Sequence, residues 1–224
     1  MRRTAFAVVL CVVAACGGST GTPAPSASAT TALSPSATST AAALPAGAVG
    51  FTVADGSKSV IRVHEQVAGV ALPGEAVVTT AVMDGTAVLG GDGTFTSGSI
   101  IRADLQALKS DNDLRDEWIK FNTLETSRFR YAEFTPTRVT GVPLPLPASG
   151  TWNAKLEGTM KIKTTTKPVT WELVVTRDSS KTTASGGIVF QFGDYGMAVP
   201  ANRLILSVKD EVRLQVDLVL SERR

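Results

Sequence analysis

Val212-Arg213-Leu214-Gln215-Val216-Asp217-Leu218-Val219-Leu220-Ser221 places an aliphatic side chain at every second position, with Arg213, Gln215, Asp217, Val219 and Ser221 between them. Side chains alternate across a strand, so the stretch reads as a strand with one buried and one wet face. Leu156, Gly158, Met160 and Ile162 against Glu157, Thr159, Lys161 and Lys163 repeat the pattern, and Trp171, Leu173 and Val175 against Glu172, Val174 and Thr176 repeat it less cleanly. Working outward, residues 59–67, 76–83, 98–105, 129–139 and 187–195 add further strands. Turns fall at Pro73-Gly74, at Asp84-Gly85, at Gly90-Gly91-Asp92-Gly93, and over 143–150 and 178–187. One segment departs from this rule: Leu114, Trp118 and Phe121 recur at helical spacing over 113–124, with Ser110 and Asp111 as capping side chains and Asp113, Asp116 and Glu117 near the amino end. Many strands, a single short helix and no strand–helix–strand alternation predict an all-β barrel or sandwich.

Charge narrows the function. The chain of 224 residues holds 22 Lys and Arg against 20 Asp and Glu, but Arg2 and Arg3 are the only charges before Asp55. Beyond that point the two signs balance, so the excess cation that a nucleic-acid binder needs is missing from the body. His64 is the single histidine, and there are two cysteines, which argues against most structural zinc sites and leaves one imidazole for any serine triad.

Arg2 and Arg3 precede an uncharged run over 4–15, roughly a dozen residues and short of the ~20 that span a bilayer as a helix. The run ends Val13-Ala14-Ala15-Cys16-Gly17, which resembles the bacterial lipobox; Cys11, preceded by the bulky Leu10, does not. The resemblance implies a lipoprotein signal peptide over 1–15, acylation of Cys16, export across the cytoplasmic membrane and lipid anchoring at an extracytoplasmic membrane face. Several acyl chains at ~0.8 kcal/mol per buried methylene hold a protein on a membrane where one chain would not. With Cys16 acylated, no internal disulfide forms and the fold rests on its core. Residues 16–48 form an uncharged tether of Gly, Ser, Thr, Ala and Pro, of coil dimension roughly 30 Å and stretched reach approaching ~100 Å. The domain proper runs over 49–224.

Leu108-Lys109-Ser110-Asp111-Asn112-Asp113-Leu114-Arg115-Asp116-Glu117-Trp118 resembles the short helix of YceI-like domains. Phe129-Arg130-Tyr131-Ala132-Glu133-Phe134 is similar to that family's strand opening. Gly158-Thr159-Met160-Lys161-Ile162-Lys163-Thr164-Thr165-Thr166-Lys167-Pro168-Val169-Thr170-Trp171 is similar to its "G-x-L-x-I-x-G-V-T-K-P-V-x-F" hairpin. Asp194-Tyr195-Gly196-Met197 and Lys209-Asp210-Glu211-Val212-Arg213-Leu214 are similar to its "D-F-G-M" and "x-D-E-V-x-L" elements. Arg130 stands in place of a usual proline. Thr164 stands in place of a usual glycine, which predicts a remodelled turn, because a β-branched residue resists a positive φ.

The resemblance implies a lipocalin-like antiparallel β-barrel of about eight strands, with the helix inserted near 111–124. It also implies a cavity for a long amphiphilic lipid, a polyisoprenoid or an isoprenoid quinone. Trp118, Phe129, Phe134, Trp152, Met160, Ile162, Phe190 and Phe192 are the candidate lining residues. An eight-stranded barrel either fills its interior or holds one small ligand, and alternation serves both. The alternative is therefore a non-enzymatic surface interaction or structural module with a filled barrel, presenting loops such as 143–150.

Catalysis finds no constellation. Asp111, Asp113, Asp116 and Glu117 lack the spacing and glycine of a calcium loop and read as a solvated helix start. His64 reads as a surface or rim imidazole. Ser97-Gly98-Ser99 lacks the context of a nucleophile elbow, and Gly90-Gly91-Asp92-Gly93 opens a strand, whereas a phosphate loop opens a helix. The reading is a binder without cofactor or metal.

Overall fold

Alternation is realised as eleven strands: β1 (Val49–Val53), β2 (Lys58–Val67), β3 (Gly74–Thr80), β4 (Met83–Leu89), β5 (Ile100–Asp104), β6 (Tyr131–Thr140), β7 (Ser149–Ile162), β8 (Thr165–Asp178), β9 (Lys181–Phe190), β10 (Ile205–Val208) and β11 (Val212–Arg223). The structure, a computed structural model, describes residues 44–223 except 46, 70, 180, 202 and 204. The expected signal peptide, Cys16 and most of the tether lie outside the described residues. The segment Ala42–Arg224 forms one unit. No helix among the described residues is long and apolar enough to cross a membrane.

Eight strands close a barrel. The antiparallel ladder runs β1, β4, β5, β6, β7, β8, β9, β11 and returns to β1. β11 is long enough to serve two partners end to end, pairing β2 over Arg213–Asp217 and β1 over Leu220–Arg223. The break between β1 and β2 is stitched by Ser57, whose hydroxyl donates to Ala54 O at 2.8 Å and accepts from Val219 N at 2.9 Å. β3 and β10 extend β2 on its two edges. Thr79 of β3 exchanges backbone hydrogen bonds with Lys109 at 2.7 and 2.8 Å, so the segment after β5 takes the place of a further strand.

That segment is a 3-10 turn at Leu105–Ala107, the helix α1 (Asp113–Trp118) and a π-type turn at Ile119–Thr123. Its cap is Asn112, whose side chain accepts from Arg115 N at 3.0 Å, not Ser110 or Asp111. Ser110 instead donates through N and Oγ to Asp116 Oδ1 at 2.9 and 2.7 Å. Asp116 is therefore 2% exposed, a correction to the solvated helix start, while Leu114 and Phe121 of the apolar stripe are 73% and 72% exposed. The segment turns the Asp116 carboxylate inward and leaves Leu114 and Phe121 exposed to solvent.

Other boundaries shift for local reasons. The expected turn at Asp84-Gly85 lies inside β4. Gly85 adopts φ 143, and a Cβ there would stand 2.2 Å from Ile100 O, so glycine here lets two strands approach and makes no reversal. The true break comes earlier, at 81–82. The expected turn over 178–187 is confined between Asp178 and Lys181, with Ser179 at φ 51, and Gly186 and Gly187 belong to β9. In the β7–β8 hairpin the positive φ falls on Lys163, at 55°, and Thr164 avoids it. Lys163 Nζ then reaches Glu125, itself at φ 50, and Thr123 O at 3.3 Å. Arg130, in place of the family's proline, gains a partner: its Nε and Nη2 donate to buried Asp104 Oδ2 at 3.0 and 2.7 Å.

Candidate functional site

Every second residue of each long strand points inward, and at one end of the barrel these side chains do not meet. They enclose a cavity of about 620 Å³, within the ~300–1,000 Å³ span of ligand pockets. β2 contributes Ile61 and Val63, β3 Val78, β6 Phe134, β7 Met160 and Ile162, β8 Trp171, and β11 Val212 and Leu214. The segment after β5 forms the mouth: Trp118 and Leu124 reach inside, while Leu114, Phe121, Asn112, Glu117 and Asn122 line the same space and remain exposed to solvent.

Of the predicted lining, the structure places Trp118, Phe134, Met160, Ile162, Phe190 and Phe192 on the cavity wall. Phe129 and Trp152 lie elsewhere. Trp152 has the same inward parity as Met160, but eight residues at ~3.3 Å each put it near the opposite end of the barrel, where its indole covers Gly150. Phe129 sits in the loop before β6 under the Arg128 guanidinium, 5.1 Å from its ring centroid.

Phe192 is held in place from three sides. A 3-10 turn at Phe192–Tyr195 ends on Gly196 at φ 65. Phe192 N donates to Asp210 Oδ1 at 2.9 Å, Gln191 N to Asp194 Oδ2 at 2.8 Å, and Lys167 Nζ to Asp194 Oδ1 at 2.6 Å. Lys167 and Gln191 N hold the Asp194 carboxyl below the usual carboxylate range. Lys167, Asp194 and Asp210 thus act by positioning an aromatic wall. Beside it Tyr195 packs edge-on to Phe190 at 5.0 Å, and burial pushes its phenol up to about 12.

Polar chemistry concentrates at the mouth. Glu65 faces inward on β2, and Arg115 of α1 donates to it at 2.7 Å while also pairing with Asp111. Burial pulls the Arg115 guanidinium down, but Glu65 and Asp111 more than offset this and leave it above its ordinary value. On the wall, Trp171 meets Phe134 edge-to-face at 6.0 Å, and its Nε1 has no hydrogen-bond partner. Sequence reasoning passed over Glu65 and Arg115, although Glu65 stands in register with Ile61, Val63 and Val67, a charge at an apolar position.

The other candidates fall outside this site. His64 points away from the cavity on β2, opposite Glu75. Gly90-Gly91-Asp92-Gly93 is a turn in which Asp92 accepts from Thr94 N and Oγ1 at 3.0 and 2.7 Å. No group of three or more metal-ligating side chains occurs among the described residues.

The architecture is thus a closed antiparallel barrel with an apolar cavity beside one short helix. The YceI-like domain profile matches residues 51–220. The chain belongs to the YceI-like domain family. Among solved structures, this YceI-like chain is similar to a polyisoprenoid binding domain from Saccharophagus degradans implicated in plant cell wall breakdown, at 11% identity and TM-score 0.59, covering 77% of this chain and 98% of that one. Burkholderia cenocepacia BcnA aligns at 14% identity and TM-score 0.53, covering 73% and 95%. A Campylobacter jejuni YceI protein aligns at 12% and 0.50, covering 66% and 85%. At such identities these neighbours establish the fold alone. No curated protein matches in sequence.

Proposed function

We propose that this YceI-like chain binds a long amphiphilic lipid, a polyisoprenoid or an isoprenoid quinone, and sequesters or carries it in the envelope while anchored through acylated Cys16 on the extracytoplasmic face of the membrane. The observation that carries the reading is the open apolar cavity of about 620 Å³. A filled barrel, which the scaffold alternative requires, has no such space. The hydrocarbon chain lies along Ile61, Val78, Phe134, Met160 and Phe192, and the polar head stays at the mouth with Asn112, Glu117 and Asn122. Support also comes from the polyisoprenoid binding of the Saccharophagus domain that shares the fold. The reading is of a binder and not of a catalyst.

Organic extraction and mass spectrometry of the unit Ala42–Arg224, expressed in a host that makes long isoprenoids, test the ligand. A stoichiometric isoprenoid is expected. Protein that carries none, and takes up neither added quinone nor polyprenol, overturns the reading. The anchor is tested separately by the mass of the mature amino terminus, where Cys16→Ser is expected to abolish acylation.

A further inference from the structure

Beneath the main cavity the barrel holds a second chamber of about 80 Å³. Phe51, Val53, Ala87, Leu89, Ala184 and Leu220 give it an almost wholly apolar wall. Ile101, Leu156, Leu173 and Leu218 line both spaces, so these four side chains, from β5, β7, β8 and β11, form a partition across the barrel. Leu173 leans toward β9, where a Cβ on Gly186 would lie 2.9 Å from its Cδ2. Arg177, the next inward residue but one on β8 after Leu173, marks the closed end: it is wholly buried, with Nε donating to Glu222 Oε1 at 2.7 Å and Nη1 to Leu146 O at 2.9 Å.

We infer that the lower chamber is the terminal pocket of the ligand site, into which the end of a hydrocarbon chain passes between Leu156, Leu173 and Leu218. This inference rests on the lipid-binding reading above and adds a limit on chain length. An apolar space that water does not satisfy leaves its lining atoms without dispersion partners, and a saturated or isoprenoid tail supplies them. The partition is built from side chains, whose rotamers change far faster than a closed ladder of backbone hydrogen bonds opens. The paired Arg177 and Glu222 then stop the chain, because displacing them would strand buried charge.

The test is a titration of the protein with isoprenoid alcohols from geraniol through farnesol and geranylgeraniol to solanesol, followed by the fluorescence of Trp118 and Trp171 on the cavity wall. Affinity is expected to rise along the series, with a last rise of about ten-fold or more when the tail enters the lower chamber. Ala184→Leu and Ala87→Leu, on β9 and β4, fill that chamber without reaching the upper one. Each is expected to remove the last rise while leaving geraniol affinity within about two-fold of wild type. Near-ultraviolet circular dichroism checks that they fold, and either one suffices. Long-chain affinity unchanged in a folded variant, or long- and short-chain affinity reduced alike, overturns the inference while the lipid-binding reading stands. Failure of wild type to bind any of these alcohols or an added isoprenoid quinone overturns both.

Discussion

Arg115 of α1 donates through Nη2 to Glu65 Oε1 at 2.7 Å, tying the helix at the cavity mouth to the inward face of β2. Both groups are largely removed from solvent, so neither is readily replaced by water when its partner is lost. Arg115→Ala is expected to cost about 2 kcal/mol by urea denaturation, discounted from the fully buried case because the guanidinium keeps some exposure. Glu65→Leu combined with Arg115→Leu should recover most of that loss, since no buried charge then lacks a partner. A double variant as unstable as the single one would show that the helix is held by something other than this pair.

Asp104 and Arg130 give the fold an acid-dependent contact. Burial pushes the Asp104 carboxyl up, but Arg130 and Gln106 N more than offset this and hold it below the ordinary 3.8. A carboxyl depressed in the folded state contributes stability above its unfolded pKa and loses it as pH falls through the folded value. Arg130→Ala is therefore expected to be less stable than wild type near neutral pH, and the gap should close as pH drops below about 4. Paired thermal melts across that range check the sign. A gap that stays constant with pH would assign the Arg130 effect to packing.

The helix sequence alone assigns Leu114 and Phe121 to an apolar face, yet both are exposed while Leu108, just before the helix, is 1% exposed. Leu108→Ala is expected to cost about 3 kcal/mol through the cavity it leaves. Leu114→Ala and Phe121→Ala should each stay within about 0.5 kcal/mol of wild type. Denaturation midpoints at unchanged slope measure all three.

Strands with one wet face were legible: the alternation in β7, β8 and β11 is written in the sequence because solvent and core select opposite residue types. The five-residue β1 and four-residue β10 are too short to show a period. Parity tells which face a side chain takes but not its level along the barrel, which is why Trp152 matched Met160 in phase and missed the cavity. Glu65 and Arg177 carry a signal that was available, each being a charge at an apolar phase of its strand. Their partners were not legible, because Arg115 lies 50 residues from Glu65 and Glu222 lies 45 from Arg177. In the β7–β8 hairpin the left-handed residue is Lys163, one position before Thr164, whose β-branch resists a positive φ; that resistance was legible, but which neighbour takes the left-handed position was not.

At the closed end Arg177 has no exposed side-chain surface and pairs with Glu222, which also accepts from Thr182 Oγ1. The same guanidinium donates to Leu146 O and Pro147 O, so one side chain joins β8, β11 and the loop before β7. Arg177→Ala removes the guanidinium that joins Glu222 to two buried carbonyls and is expected to cost about 3–5 kcal/mol, a large share of a domain's stability. Arg177→Met with Glu222→Leu removes both charges and keeps the volume, and should lie within about 2 kcal/mol of wild type. Because Arg177 lies at the far end of the barrel from the mouth, the double variant should also keep wild-type affinity for short isoprenoid alcohols. Loss of that binding in a folded double variant would show that the closed end shapes the upper cavity as well as sealing the barrel.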